Sequence, residues 1–400
     1  MHIYRTPCRI LVDENVPFAE AAFGPLGDVR LLPGAAITRA EAEATDALVV
    51  RSVTRVDRAL LAGTPVRFVG TATAGTDHVD REALESMGVA SAAAPGSNAQ
   101  SVVEYVAAAL LAVVVDVAGH RLAGGLRGKT AAVVGCGQVG GRLLPRLRAL
   151  GMRTLAVDPP LARADGQPGA SGEAFVSLSE ALQQADLVTL HTPLTDAGPD
   201  ATRGLLGARE IAQMRPGAVL VNAARGPVMD GPSVLAALES GHLGAAVLDV
   251  WPQEPAPAPA LVRAAAVATP HIAGYSFDGK IDGTFQIARA LAAWLGTPER
   301  AWDPESALGG DPVRLDPPDP RLREAAYLDA VARQCYDVRA DDARFRPLAS
   351  LELAPRVDAF RRLRKTYPPR RAFERFMLPE AAVPRLYHGA VFGGLGIGTG

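Results

Sequence analysis

The sequence predicts an α/β protein, with two parallel-sheet units in tandem and a smaller α+β region after them. Three observations carry this prediction. Short β-rich runs alternate with helical stretches from Arg9 to about Ala268. A Gly-rich turn, Gly135-Cys136-Gly137-Gln138-Val139-Gly140, closes the sixth of these runs. The chain has 400 residues, too many for one hydrophobic core.

The first unit, set at residues 1–118, holds runs at Ile10–Val12, Val29–Leu32, Ala47–Arg51, Arg67–Thr71 and Val89–Ala92. Polar, Ala-rich stretches between them give the spacing of a small parallel α/β domain. Asn98 to about Val117 then reads as a long helix. Asn98 can cap it, and Val102, Val106, Ala109, Leu110 and Val113 keep a helical period. Its apolar stretch, Val106 to Val115, is too short to span a bilayer and follows Glu104, so it reads as a buried helix.

The second unit, set at 119–275, begins near Lys129. Its runs are Thr130–Val134, Arg153–Val157, Leu187–Leu190, Ala218–Val221, Ala245–Leu248 and Val267–Ala268. Six strands with helices between them match a Rossmann dinucleotide-binding domain. Ser276 to Trp294 reads as a helix returning the chain to the first domain, within 276–300. Six prolines between Gly296 and Pro320 mark a linker. The last part, set at 305–400, is helical and basic, densest at Arg361-Arg362-Leu363-Arg364-Lys365 and Arg370-Arg371. Without aromatic interleaving, that run reads as a solvated helix face or subunit contact. The terminal Gly-rich stretch from Gly393 reads as frayed.

With 48% hydrophobic and 21% charged residues and a net charge of −2, no basic excess exists to neutralise nucleic-acid phosphates. Cys8, Cys136 and Cys335 stand far apart, with no disulfide framework, as in a reducing compartment. No basic segment followed by an apolar one opens the sequence, so the expectation is a cytoplasmic protein that neither enters nor spans a membrane. Asp77 and His78 lack further ligands at suitable spacing, and no metal is expected.

The chemistry begins at the Gly-rich turn. Alone, G-x-G-x-x-G is a weak signal. Here it follows a strand and opens a helix, and Asp158 ends the next strand. Gly135 permits the tight turn, Gly137 lets backbone approach a pyrophosphate, and Gly140 allows close packing of helix on strand. Gln138 and Val139 begin the helix that faces the anion. Asp158 can accept hydrogen bonds from ribose hydroxyls and repel a 2′-phosphate, so the expected cofactor is NAD.

Arg225, Glu254 and His271 each lie just past a strand C-terminal end, where open α/β sheets bind ligands. Oxidising a hydroxy acid needs a base for the hydroxyl proton, a cation for the carboxylate and a group that tunes the base. His271 suits the first, Arg225 the second and Glu254 the third.

The segments Asn222-Ala-Ala-Arg-Gly, Leu248-Asp-Val-Trp with Glu254-Pro255, and Pro270-His-Ile-Ala-Gly resemble the signatures of the D-2-hydroxyacid dehydrogenase family. The resemblance implies a flavodoxin-like substrate domain, a Rossmann NAD-binding domain and the three roles above. It also implies cofactor contacts from Thr192, Ala223, Ala224, Arg225, Asp249 and Gly274, with Asp249 holding the nicotinamide carboxamide. Longer phrases are similar to one branch of that family, whose substrate is a phosphorylated hydroxy acid. They include Val50-Arg-Ser-Val-Thr, Gly70-Thr-Ala-Thr-Ala-Gly-Thr-Asp-His, His271-Ile-Ala-Gly-Tyr-Ser and Tyr336-Asp-Val-Arg-Ala-Asp-Asp. That likeness implies substrate contacts from Ser52, Thr73 and Tyr275, and a C-terminal α+β dimerisation domain making a homodimer. Arg51 joins Ser52 by chemistry, as a cation for the phosphate. Two rival readings are a relative acting on another acid, such as 3-phosphoglycerate, and a non-catalytic NAD-sensing protein like the transcriptional corepressors.

Overall fold

The computed structural model describes residues 7–165, 174–298 and 302–400, and the chain divides into two compact units. The expected ends of the first domain at 1–6 and of the returning helix at 299–300 lie outside the described residues.

One unit is Met1–Asn98 with Ser276–Asp311. Its strands are β1 (Cys8–Asp13), β2 (Gly27–Leu32), β3 (Ala47–Val50), β4 (Phe68–Thr71) and β5 (Ala90–Ala93). All pair in parallel in the order β2-β1-β3-β4-β5, the flavodoxin-like order. β3 and β4 are buried throughout, which is why they read as continuous apolar runs. The helix Phe277–Leu295 starts where the Ser276 hydroxyl accepts from the Gly279 N–H at 2.9 Å and stops at Gly296, in the left-handed region. Ile287, Ala288, Leu291 and Ala292 on this helix pack with Ile10, Val12, Val49 and Phe68. It lies so close that a Cβ on Gly70 would stand 2.4 Å from Ile287 Cγ2.

The other unit is Ala99–Tyr275 with Pro312–Gly400. β6 (Thr130–Val134), β7 (Arg153–Val157), β8 (Leu187–Leu190), β9 (Ala218–Asn222), β10 (Leu243–Leu248) and β11 (Val267–Ala268) form a parallel sheet. Its order is β11-β10-β9-β8-β6-β7. A single bridge from Ala156 to Phe175 stands outside β7, where a doubly wound dinucleotide-binding sheet has its third strand.

The helix Ala99–Asp116 packs within this second unit, whereas the sequence set the first domain at 1–118. The reason is the helix's uniformly apolar surface: Val106, Leu110 and Val113 share a core with β6 and β10. By length and composition it could cross a bilayer, and 83% of it is buried inside the protein.

Residues 312–400 are grouped with the same unit rather than standing as a separate body. They hold helices Glu324–Cys335, Val338–Phe345 and Leu353–Lys365, and a parallel sheet of β12 (Val313–Arg314), β13 (Phe376–Leu378) and β14 (Gly398–Thr399). The tail expected to fray is paired instead. Met377 aligns with Gly398, Leu395 and Ile397 are buried, and Gly394 is small enough to lie on Leu150.

A buried polar cluster joins this region to the helix Ala99–Asp116. Arg370 Nη2 donates to Ser101 O at 3.0 Å, and the Phe373 N–H donates to Glu104 Oε1 at 2.9 Å. Burial pushes the Glu104 carboxyl up to about 7, against the opposing pull of the Phe373 N–H and the Arg370 charge. A carboxyl raised in the folded state favours folding fully below its ordinary value, and that contribution is lost as pH climbs through 7. Wild-type stability should therefore fall by about 2.5 kcal/mol between pH 5 and pH 8 from this group alone. Glu104→Gln, which keeps the acceptor, should flatten that slope. Denaturant titrations of both proteins at several pH values check it, and identical slopes would refute the assignment.

Candidate active site

The Gly-rich turn follows β6 as the sequence requires. Gly135 has φ 89°, and a Cβ there would meet the His191 and Thr192 backbone at 2.7 Å. A Cβ on Gly140 would stand 2.0 Å from Gly135 O. Gly137 differs, because a Cβ on it would meet nothing within 4 Å. Protein packing therefore does not explain this glycine, and the open space is where a ligand's anion would approach backbone. Gln138 O and Oε1 accept from Arg142 Nη1 at 2.8 and 3.0 Å, and Val139 precedes the helix Gly140–Ala149.

Asp158 follows β7. Its Oδ2 accepts from the Cys136 N–H at 2.8 Å and its Oδ1 from the Leu161 N–H at 3.0 Å. Each oxygen keeps a lone pair, so the carboxylate is fixed beside the turn and can still accept from hydroxyls. His191 and Thr192 follow β8. Burial of the His191 ring pushes its pKa down to about 3, which keeps it neutral. Nε2 bonds Thr189 Oγ1 at 2.8 Å, whereas His191 Nδ1 and Thr192 Oγ1 are buried without a hydrogen-bond partner among the described residues. Orphaned polar atoms are expensive. Here they border the turn, so the residues present fit a dinucleotide that could supply partners.

His271 and Glu254 come together. His271 Nδ1 lies 2.7 Å from Glu254 Oε2, and Glu254 Oε1 accepts from the Trp251 N–H at 2.9 Å. Burial works to raise the Glu254 carboxyl, but the His271 charge and hydrogen bond outweigh it and hold the group below the usual carboxylate range. The carboxylate thus fixes the proton on Nδ1, leaving Nε2 as the basic nitrogen. His271 itself has φ 60°, a left-handed conformation rare outside glycine. It is held by its N–H donating to Asp249 O at 2.7 Å.

Asp249, expected at the nicotinamide carboxamide, is 1% exposed and braces this loop from behind. Oδ1 accepts from Thr269 Oγ1 at 2.6 Å and the Ile272 N–H at 2.8 Å, and Oδ2 from the Ala273 N–H at 2.9 Å. Burial raises its pKa against these bonds. Thr269 Oγ1 in turn meets Tyr105 OH at 2.7 Å, and Trp251 Nε1 donates to Thr269 O at 2.9 Å. The sequence reading missed Tyr105, Trp251 and Thr269. Only Trp251 carried a signal, as a lone large aromatic between strand and Glu254.

Arg225 is half-buried after β9. Asn222 Oδ1 accepts from the Ala224 N–H, and Asn222 Nδ2 donates to Arg225 O, both at 3.1 Å, which folds Ala223, Ala224 and Arg225 into a turn. Gly226 then touches the neighbouring loop: a Cβ there would stand 2.0 Å from Trp251 C and O. That contact brings the Arg225 and Glu254 loops together, and it too was missed. Gly274 and Tyr275 close the His271 loop, where the Tyr275 N–H donates to Ile272 O at 2.8 Å.

In the other unit, Arg51 and the exposed Ser52 follow β3. Within the same run Thr54 donates to Gly34 O at 2.9 Å and Arg55 pairs with Asp57, so those two side chains serve the loop itself. Thr73 follows β4, bonded to Thr71 Oγ1 at 2.8 Å and Gly75 O at 2.9 Å. Burial first, then the Arg51 charge, lowers the Lys280 pKa, which adds a second cation near Arg51. His78 Nε2 bonds Thr71, and no three potential metal ligands converge among the described residues.

Residues 115–273 match the NAD-binding domain of D-isomer specific 2-hydroxyacid dehydrogenases, and 320–384 match a domain of unknown function. The erythronate-4-phosphate dehydrogenase of Salinibacter ruber is 48% identical over 393 residues, covering 98% of each chain. That of Pseudomonas aeruginosa is 48% identical over 368 residues, 91% of this chain and 93% of its own. Among solved structures, the pyruvate reductase of Chlamydomonas reinhardtii is 26% identical with a TM-score of 0.57, covering 73% of this chain and 98% of its own. An Aquifex aeolicus D-lactate dehydrogenase complexed with NAD and lactic acid shares the fold at 22% identity, with a TM-score of 0.59 over 73% of this chain and 97% of its own. The chain belongs to the D-2-hydroxyacid dehydrogenases, within the erythronate-4-phosphate dehydrogenase family.

Proposed function

We propose that this protein oxidises 4-phospho-D-erythronate to (R)-3-hydroxy-2-oxo-4-phosphobutanoate with NAD, a step of vitamin B6 biosynthesis. The observation that carries it is the bonded His271–Glu254 pair in a chain 48% identical, almost end to end, to an enzyme named for that substrate. Bound NAD supplies the hydride acceptor for C2. His271 Nε2 takes the hydroxyl proton, and ionised Glu254 stabilises the imidazolium that forms. Arg225 grips the carboxylate with its planar fork.

Gly135, Gly137, Gln138, Val139 and Gly140 surround the pyrophosphate position, and Asp158 takes the ribose hydroxyls. Thr192, Ala223, Ala224 and Gly274 are proposed as further cofactor contacts, and Ser52, Thr73, Tyr275 and Arg51 as substrate contacts. Asp249 is assigned the bracing of the His271 loop, its three acceptor bonds being the support for that role.

The test is kcat/KM across phosphorylated and unphosphorylated C3 and C4 2-hydroxy acids, with NAD and NADP. The phosphorylated C4 acid should lead its unphosphorylated form, and NAD should lead NADP, each by about a hundredfold or more. A lead for 3-phosphoglycerate would move the protein to another substrate. Absence of turnover on every acid would favour the non-catalytic reading.

The C-terminal region is the proposed dimerisation surface, and the cytoplasm the proposed location. Val313, Leu322, Leu351, Leu353 and Leu386 make up most of the large apolar side chains exposed among the described residues, as expected of a face covered by a second copy. No disulfide joins Cys8, Cys136 or Cys335 among the described residues, which agrees with a reducing compartment.

A further inference from the structure

Three side chains from the C-terminal region reach the loop His271–Tyr275. Arg370 Nη2 donates to Ala273 O at 2.6 Å. The Tyr367 ring meets the Tyr275 ring edge-on, with centroids 5.7 Å apart and planes at 81°. The Arg364 guanidinium carbon lies 5.6 Å from the centroid of Tyr275.

Arg370 and Tyr367 are tied into the wall by hydrogen bonds, although Arg370 Nε and Nη1 are also buried without a hydrogen-bond partner among the described residues. Arg370 also bonds Ser101 O and lies 4.4 Å from the Tyr336 ring centroid, and Tyr367 OH donates to Asp341 at 2.8 Å. Arg364 meets the wall at the Tyr275 ring, and no hydrogen bond ties it there among the described residues. It makes no ion pair among the described residues, and its Nε is buried without a hydrogen-bond partner. The acid that feels its charge is Glu254, whose two oxygens already hold His271 and the Trp251 N–H. A guanidinium steered over an aromatic ring, facing a catalytic pair and lacking an anion of its own, is placed for an anion that a ligand brings.

We propose that Arg364 is a substrate-binding residue that grips the phosphate group, so that the C-terminal region forms part of the active site. The proposal rests on the reading above, in which Arg225 already takes the carboxylate and the phosphate is the substrate's other anionic end. Cation–π contact with Tyr275 sets the fork's orientation before substrate arrives.

The test uses the full-length enzyme with Arg364→Gln and Arg364→Lys. KM for 4-phospho-D-erythronate, and the inhibition constant of inorganic phosphate as a competitor, should each rise about ten- to a hundredfold in the Gln variant. Lys should restore part of this. kcat/KM for unphosphorylated D-erythronate and the NAD dissociation constant should stay within about twofold of wild type. Equal losses on both acids would place Arg364 behind Glu254 and overturn the assignment, as would unchanged constants in the Gln variant. If wild-type enzyme prefers a different acid, the substrate reading fails on its own, and phosphate inhibition still decides the role of Arg364.

Discussion

Replacing His271 by Ala should lower kcat by about 10²- to 10⁴-fold while NAD affinity stays within about twofold. The structure gives the reason in three steps. Glu254 pins the ring through Nδ1, so Nε2 is the nitrogen that can accept a proton. Glu254 stays ionised because the His271 hydrogen bond and charge outweigh the cost of burying it. The imidazole is also held on a left-handed residue by the Asp249 carbonyl, so its direction does not depend on the substrate. Truncation at Cβ removes the proposed base and leaves the Gly-rich turn untouched, which is why binding and turnover should separate. Steady-state kinetics with a fluorescence titration of NAD measure both quantities. Turnover near the wild-type rate would remove His271 from the mechanism.

Gly226→Ala should be nearly as damaging, although the residue bears no chemistry. The added methyl would stand 2.0 Å from Trp251 C and O and 2.6 Å from Pro252 N. These are backbone atoms, so no rotamer change relieves the clash, and the Arg225 and Trp251 loops must part. We expect a loss of about 3 kcal/mol in stability and about a hundredfold in kcat/KM, because Arg225 and Glu254 move apart together. Denaturant titration and kinetics read the two effects. A variant that matches wild type in both would show that the loops are not coupled through this contact.

Much of the fold could be read from local pattern. The strands β3, β6, β8 and β9 are buried along their whole length, so they stand out as apolar, β-rich runs. The places of Arg225, Glu254 and His271, each just past a strand, could be read because strand C-terminal ends are identifiable in such a sheet. What escaped was set by distance along the chain. Tyr105 and Thr269 are 164 residues apart, yet their hydroxyls meet beneath Asp249. The positive φ of His271 is imposed by Asp249, and nothing in Pro270-His-Ile-Ala announces it. The helix Ala99–Asp116 is apolar on every side, so its pattern could not say which unit would bury it. The tail looked flexible because glycine is counted as freedom, whereas Gly394 is there to fit Leu150 and lets Leu395 and Ile397 be buried.

The fit of Ile287 on Gly70 bears on how the molecule reaches its native state. Strands β1 to β5 come early in the chain, but the helix that covers one face of their sheet arrives only after the whole of Ala99–Tyr275. Closing that long loop is an entropic barrier that local order cannot lower, so until the helix docks this face has only early residues such as Ala19, Ala22 and Phe23 to cover it. During that wait Ile10, Val12, Val49 and Phe68 are sticky surface. The five early strands are therefore an obligate client of a helix made much later, and the maturation of one unit is timed by the synthesis of the other.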